Sequence, residues 1–417
     1  MSKDKREYDV FKGLLNGSQK QTLDAQTLLE VIRTEAHERL RNEARVYVLH
    51  DGSDIRKPES HDMENLGYVM SLDKKVVSGY KTMNSVAVDI SGKELTLLEH
   101  KTYSTVDPAY LSKADIEAHL KKPDGDKDLT RRIEEGSYIN NSRAYFQTVL
   151  ACRKTIGRDN CPTKITHIQD REFDCDACFE YVDDLKDEFV TRVRHTRLSN
   201  VIRPKYTPKT GKLSKTVVYE KLKDIEFKGD CVYEIKRICL KNKSYVNVKC
   251  HVRWDEITIN ARIYRVVRVV LKDEKGQCIF EHPMLLVTNR PVKTAADAMS
   301  VYQAYLLRFK IEILFRFLKN NMGWETFQIR DFQSIKNLLA FAFFLVGYFK
   351  ELSDDIQKHE TYRLIAQIGG GKGIVSQHFL LKGFEKLVHF QQVQQLLDEG
   401  VLTREEINTA LKNFAQT

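Results

Sequence analysis

Tyr305-Leu306-Leu307-Arg308-Phe309-Lys310-Ile311-Glu312-Ile313-Leu314-Phe315-Arg316-Phe317-Leu318-Lys319 is the stretch from which the rest of the chain can be read. Its apolar residues recur at helical spacing, and Thr294-Ala295-Ala296-Asp297 upstream has the form of a capping box. The pattern predicts one long helix that starts there and closes near Gly323. At about 100° per residue, Tyr305, Arg308, Glu312 and Lys319 fall within an arc of roughly 60°. Leu307, Ile311, Ile313, Leu314, Phe317 and Leu318 cover the other side and are expected to be buried. The exposed stripe would then carry one carboxylate among two cations and a phenol, with Arg316 nearby. That pattern fits a solvated face with an Arg308–Glu312 pair at i,i+4. It fits equally an acid ringed by phosphate-binding donors. Periodicity does not choose between them.

The chain has 417 residues, more than one compact core usually holds, so several domains or a large insertion are expected. It carries 67 Lys and Arg against 58 Asp and Glu, a formal +9, which favours a polyanionic partner without demanding one. Eight cysteines follow an N-terminus, Met1-Ser2-Lys3-Asp4-Lys5-Arg6, with no apolar run behind it. Free thiols in a reducing cytosol are the expectation. The longest apolar run, Leu338 to Phe349, is too short to span a bilayer and reads as a buried helix, so no membrane protein is expected.

In chain order, residues 1–45 read as a polar helical arm with a weak apolar stripe at Leu23, Leu28, Leu29, Val31 and Ile32. Val46 to His50 reads as a strand running into Asp51-Gly52-Ser53-Asp54. Further strands are read at Val76–Tyr80, Ser85–Asp89 and Glu94–Glu99, then a charged helical region from Ser112 to about Cys152. Lys164 to Gln169 reads as a strand ending at Asp170, followed by a helix (Ala177–Leu185) and a strand (Glu188–Val193). From 199 to 283 short alternating runs, Thr216–Tyr219, Cys231–Cys239, Tyr245–Val252 and Ile263–Val270, form a β-rich insertion dense in Lys and Arg. Leu285 to Thr288 returns to the core. The expected organisation is an α/β core at 46–198 and 284–350, interrupted by that insertion, with a helical region at 351–417.

Asp51 and Asp170 thus stand at the ends of predicted strands and Glu312 on a polar helix stripe. Carboxylates from distant segments meeting at one sheet edge are what two-metal phosphoryl transfer requires, and hard oxygen ligands suit Mg²⁺. Asp54 and Asp89 are rivals for the first acid. Any one Asp at a strand end is also a common turn former.

The spacing Tyr305-x2-Arg308-x3-Glu312-x6-Lys319 resembles the signature of the DDE transposases of bacterial insertion sequences, in the IS-four family, where the Glu is the third catalytic acid. Asp51-Gly52-Ser53 resembles the Asp-x-Thr/Ser that ends that family's first strand, which favours Asp51 over its rivals. Asp170-Arg171-Glu172-Phe173-Asp174 resembles its Asp-Arg-Glu-x-Asp segment. The resemblance covers most of 46–325. It implies an RNase H-like fold with a mixed five-stranded sheet, and catalytic, metal-holding acids at Asp51, Asp170 and Glu312. The cofactor implied is two Mg²⁺, with Mn²⁺ able to substitute. Tyr305, Arg308, Lys319 and Arg171 would hold phosphates, Arg171 with Glu172 bracing the site or forming only a surface ion pair.

The implied reaction nicks the ends of an insertion sequence and joins the 3′-OH to target DNA. It is carried out by a homodimer on terminal inverted repeats, in the cytoplasm at the bacterial nucleoid. A domesticated DNA-binding protein and a Mg²⁺ nuclease without strand transfer are the alternatives. One departure is Met284, where family members that excise through a DNA hairpin place a Trp; the only Trps here are Trp254 and Trp324. Cys175-x2-Cys178 with Cys152, Cys161 and His167 lacks the spacing of a standard zinc finger. Gly369 to Gly373 lacks the strand-to-helix setting of a P-loop.

Overall fold

A computed structural model describes residues 13–16, 23–92, 94–121, 126–157, 163–207, 212–240, 243–355, 360–373 and 375–408. The chain parts into two compact units, Met1–Ala340 and Phe341–Thr417. The division falls earlier than the 350/351 boundary expected, inside a continuous helix.

The first unit is built on a mixed sheet. Strands β1 (Arg45–Arg56), β2 (Gly67–Met70), β3 (Val76–Val88) and β4 (Leu95–Tyr103) come first. After helices α2 (Lys113–Lys121), α3 (Lys127–Glu135) and α4 (Asn141–Ile156) come β5 (Lys164–Gln169), α5 (Asp176–Asp184) and β6 (Glu188–Val193). β3 lies antiparallel between β1 and β4, whereas β1, β5 and β6 run parallel to one another. The order β4–β3–β1–β5–β6 places β1 and β5 centrally, so both faces of β5 are covered and Ile165 to Gln169 is buried without alternation.

The remaining strands extend the same sheet. β7 (Leu198–Thr207), β8 (Lys212–Lys221), β9 (Gly229–Leu240), β10 (Lys243–Ile259) and β11 (Arg262–Lys272) form antiparallel ladders. β12 (Met284–Thr288) then pairs with β6 on one side and β11 on the other. The segment expected as a separate insertion is therefore hydrogen-bonded to the core through β12. β7 has no counterpart in the sequence reading, and the two runs read at Val76–Tyr80 and Ser85–Asp89 are one strand with a register shift between Ser85 and Val86.

Helix α1 (Ala25–Leu40) starts at Asp24, whose side chain accepts the Thr27 N–H at 2.9 Å. It does not stand out as an arm. Leu29, Ile32, Ala36 and Leu40 are buried, and Ala36 and Leu40 share a core with Val46, Val48, Leu98 and Ile165. The rest of 1–24 apart from 13–16, 23 and 24 lies outside the described residues. A second core, under β5 and β6, holds Tyr145, Phe179, Phe189 and Tyr264, with the Phe179 and Phe189 rings stacked at 5.1 Å.

After β12, a Thr294–Asp297 capping box opens α6 (Ala295–Leu306), and α7 (Phe309–Asn321) follows. Helix α8 (Phe332–Asp355) contains Phe332–Lys350, 19 residues that by length and composition alone could cross a bilayer. More than half of that stretch, 56%, is buried, which is how a core helix looks. In the second unit, α9 (Glu360–Ile368) and α10 (Gln377–Asp398) pack where Gly383 leaves room for the Ile365 backbone.

Phe189 is fully buried among aromatic rings. Phe189→Ala should therefore cost about 3–5 kcal/mol in chemical denaturation of the protein. A loss under about 1 kcal/mol would contradict this packing.

Candidate active site

The register of three parallel strands brings distant residues to one edge. Leu49 of β1 is opposite Ile168 of β5, and Ile168 is opposite Val190 of β6. Two residues further along each chain stand Asp51, Asp170 and Arg192, in one row at the carboxyl ends of β5 and β6. With strands about 4.8 Å apart, residues level on neighbouring strands are within reach of one shared partner. Asp51 is not at a strand end as expected. β1 continues to Arg56, and Asp51 pairs with Asn84 of β3.

The shared partner is Arg308. Its Nη1 donates to Asp51 Oδ2 at 2.7 Å, and its Nη2 donates to Glu312 Oε1 and lies 3.5 Å from Asp170 Oδ2. Tyr305 donates its hydroxyl to Asp170 Oδ1 at 3.0 Å, and Arg192 Nη1 is 4.0 Å from the same oxygen.

The helix breaks to allow this. Leu307, Arg308, Lys310 and Ile311 each donate their N–H to the carbonyl three residues back, a tight turn between α6 and α7. In such a turn side chains at i and i+3 eclipse, so Tyr305 and Arg308 point the same way, toward the sheet. The single exposed stripe predicted from an unbroken helix is thereby corrected. Tyr305 is 2% and Arg308 8% exposed, whereas Ile313, expected inside, is 60% exposed.

Lys319 goes elsewhere. Its Nζ donates to the Asp54 carbonyl at 2.7 Å and to Glu325 Oε1 at 3.1 Å. It lines an open cleft of about 460 Å³ with Gly52, Asp54, Lys81, Asn141 and Glu172. Glu172 accepts from Asn141 Nδ2 at 2.8 Å and lies beside Gly52, where a Cβ would make only ordinary contact with it. Arg171 is exposed in the same turn and is not among the groups touching the acids. Asp54 accepts the Met70 N–H and lies 3.5 Å from Lys81, and Asp89 accepts N–H groups of Ser91 and Glu94 in the turn after β3.

Electrostatics follow from this crowding. Burial above all, with Asp170, Glu172 and Glu312 adding to it and Arg308 opposing, raises the Asp51 carboxyl from 3.8 to about 7. Burial also works against the charge of Arg308, but Asp51, Asp170, Tyr305 and Glu312 outweigh it and hold the guanidinium above its ordinary value. Burial and the neighbouring Asp170 push the Tyr305 phenol up to about 12, so it stays a hydrogen-bond donor at neutral pH.

Residues 139–346 match the family model of the transposase DDE domain. No curated protein matches the chain. The matched DDE domain takes in Asp170, Arg192, Tyr305, Arg308, Glu312 and Lys319 and begins after Asp51. It assigns the segment to transposition and DNA recombination, with DNA as substrate, and transposases of this class generally use divalent metal ions.

Asp51, Asp170 and Glu312 present only carboxylate oxygens to a common point, the donor chemistry a hard divalent cation takes. The point is held by Arg308, and among the described residues no three acidic, His or Cys side chains close up enough to hold a metal ion. Cys152 and His167 are buried, the latter bonded to His50, and Cys161 lies outside the described residues, so the zinc grouping is not assembled. Trp324 is buried against Phe315 and is not available to stack on a base.

The raised Asp51 carboxyl makes a prediction with a definite sign. A folded-state value above the unfolded one contributes stability that is complete below about pH 4 and lost as pH rises through about 7. In metal-free buffer the wild-type protein should lose about 1–3 kcal/mol more between about pH 5 and pH 8 than Asp51→Asn does. Parallel pH profiles in urea denaturation would contradict the assignment.

Proposed function

We propose that the chain is a DNA transposase of the IS-four type that nicks the ends of an insertion sequence and joins the freed 3′-OH to target DNA. The observation that carries the reading is the meeting of Asp51, Asp170 and Glu312, from three distant segments, around one guanidinium within a DDE-matched region. The strand order β4–β3–β1–β5–β6 supports an RNase H-like core.

Asp51, Asp170 and Glu312 would hold two Mg²⁺, or Mn²⁺, which when bound activate the attacking oxygen and stabilise the leaving one. Arg308 offers a planar fork that suits a phosphate as well as it suits carboxylates, so an incoming scissile phosphate finds a donor already aimed at the acids. Arg192, beside Asp170, adds a second cation on the β6 side. Tyr305 orients Asp170 with its one hydroxyl proton, can turn that proton to a phosphate only when a metal takes the carboxylate, and, being protonated, is not a nucleophile. Lys319 lies in the cleft beyond Asp54, suited to a phosphate one step along the strand.

On the extended sheet, His251, Arg253, Arg268 and Lys272 line a cleft of about 290 Å³, a place for backbone charge of the terminal repeat. A homodimer would bring two ends together, in the cytoplasm at the bacterial nucleoid.

The test is Mg²⁺-dependent nicking of a duplex carrying the gene's own flanking ends, with Glu312→Gln alongside. The proposal expects end-specific nicking and joining by the wild-type protein. In the variant, cleavage should fall by at least about a thousandfold with DNA binding kept. Specific binding without cleavage would replace the proposal with a domesticated binder, and cleavage of any duplex without joining would replace it with a plain nuclease.

A further inference from the structure

Cys175 and Cys178 open helix α5, and their sulfurs are 2.9 Å apart. Both are free thiols. A disulfide needs about 2.05 Å between sulfurs, so closure requires a movement of under about 1 Å. The two positions are unequal. Cys175 is the N-cap residue and is partly exposed, whereas Cys178, in the first turn of the helix, is 1% exposed.

Around the pair stand Arg197, which binds Asp174 and Asp176 and lies over the Phe179 ring, and Lys113 on α2. Sharing a hydrogen bond with Cys178 comes first in drawing the Cys175 thiol below its ordinary value; burial opposes, and the Cys178 N–H, Lys113 and Arg197 assist. Elsewhere burial raises the thiols of Cys152 and Cys250, which makes them poor nucleophiles.

We infer that Cys175 and Cys178 form a redox-active dithiol, with Cys175 the attacking and Cys178 the resolving sulfur, that takes a low-molecular-weight disulfide as its oxidant. The Cys175 thiolate attacks one sulfur of that disulfide, forming a mixed disulfide and releasing one small thiolate, which takes up a proton. Cys178 then passes its proton to the departing small thiolate as it attacks the Cys175 sulfur, closing the internal disulfide and releasing the second small thiol. Two protein thiols are oxidised and one small disulfide is reduced, so electrons balance. Closure ties the first turn of α5 to the turn after Asp170, where the Cys175 N–H already bonds the Phe173 carbonyl at 2.8 Å.

The experiment uses the reduced full chain with oxidised glutathione as the probe. The reaction is quenched in acid, and the remaining thiols are alkylated and mapped by peptide mass. The wild-type protein should give an internal Cys175–Cys178 disulfide, reversed by dithiothreitol, at oxidant levels that leave Cys152 a thiol. Its formation should be about fivefold faster than glutathione attachment at the exposed Cys278. Cys178→Ser should instead hold glutathione on Cys175, and Cys175→Ser should leave Cys178 unmodified. Circular dichroism of each variant establishes that it is folded. The inference is overturned if Cys175 and Cys178 are still alkylated after Cys239 and Cys278 are fully blocked. It is equally overturned if folded Cys178→Ser carries no glutathione on Cys175.

Discussion

The Arg308 guanidinium is the point at which three distant segments of the first unit meet. It is buried, yet it meets Asp51, Asp170 and Glu312, which come from the first strand, the end of a central strand and the turn of a late helix. Three carboxylates converging without a cation would repel one another at low effective dielectric, and a buried guanidinium without acids would be an uncompensated charge. Each side makes the other tolerable. The cost appears in the Asp51 carboxyl, held up at about 7 mainly by burial and by its fellow acids. Such crowding is poor for stability.

Two backbone features make that meeting possible. Parallel pairing of β1, β5 and β6 keeps Leu49, Ile168 and Val190 level, so residues two further on stay level as well. The tight turn between α6 and α7 then rotates Tyr305 and Arg308 inward. A straight helix would have sent the same four residues to solvent as a stripe.

Much of this was legible in the sequence. The acids at Asp51, Asp170 and Glu312 are close neighbours of one arginine, and the strands at 164–169 and 188–193 lie where the sequence reading puts them. Four things were not legible. Periodicity assumes an unbroken 3.6-residue repeat, so it misplaced Ile313 and the exposure of Tyr305 and Arg308. Arg192 carries no local signal, because only the register across β5 and β6 brings it level with Asp170. Lys319 shares the stripe's azimuth but lies beyond the turn, so it reaches Asp54 and Glu325 instead of the acids. Arg171, next to Asp170 in sequence, faces outward for a similarly local reason: the short helical turn from Arg171 to Phe173 directs Phe173 into the core.

Asp51 lies outside the segment that matches the DDE domain, and its contact with Arg308 is what ties its carboxylate to the acids of the matched region. A double-mutant cycle of Asp51→Asn and Arg308→Met, read as unfolding free energy of the metal-free protein near neutral pH, measures that contact directly. The account predicts a coupling of about 1–3 kcal/mol between the two positions. Additive effects, with no coupling beyond about 0.3–0.5 kcal/mol, would contradict it.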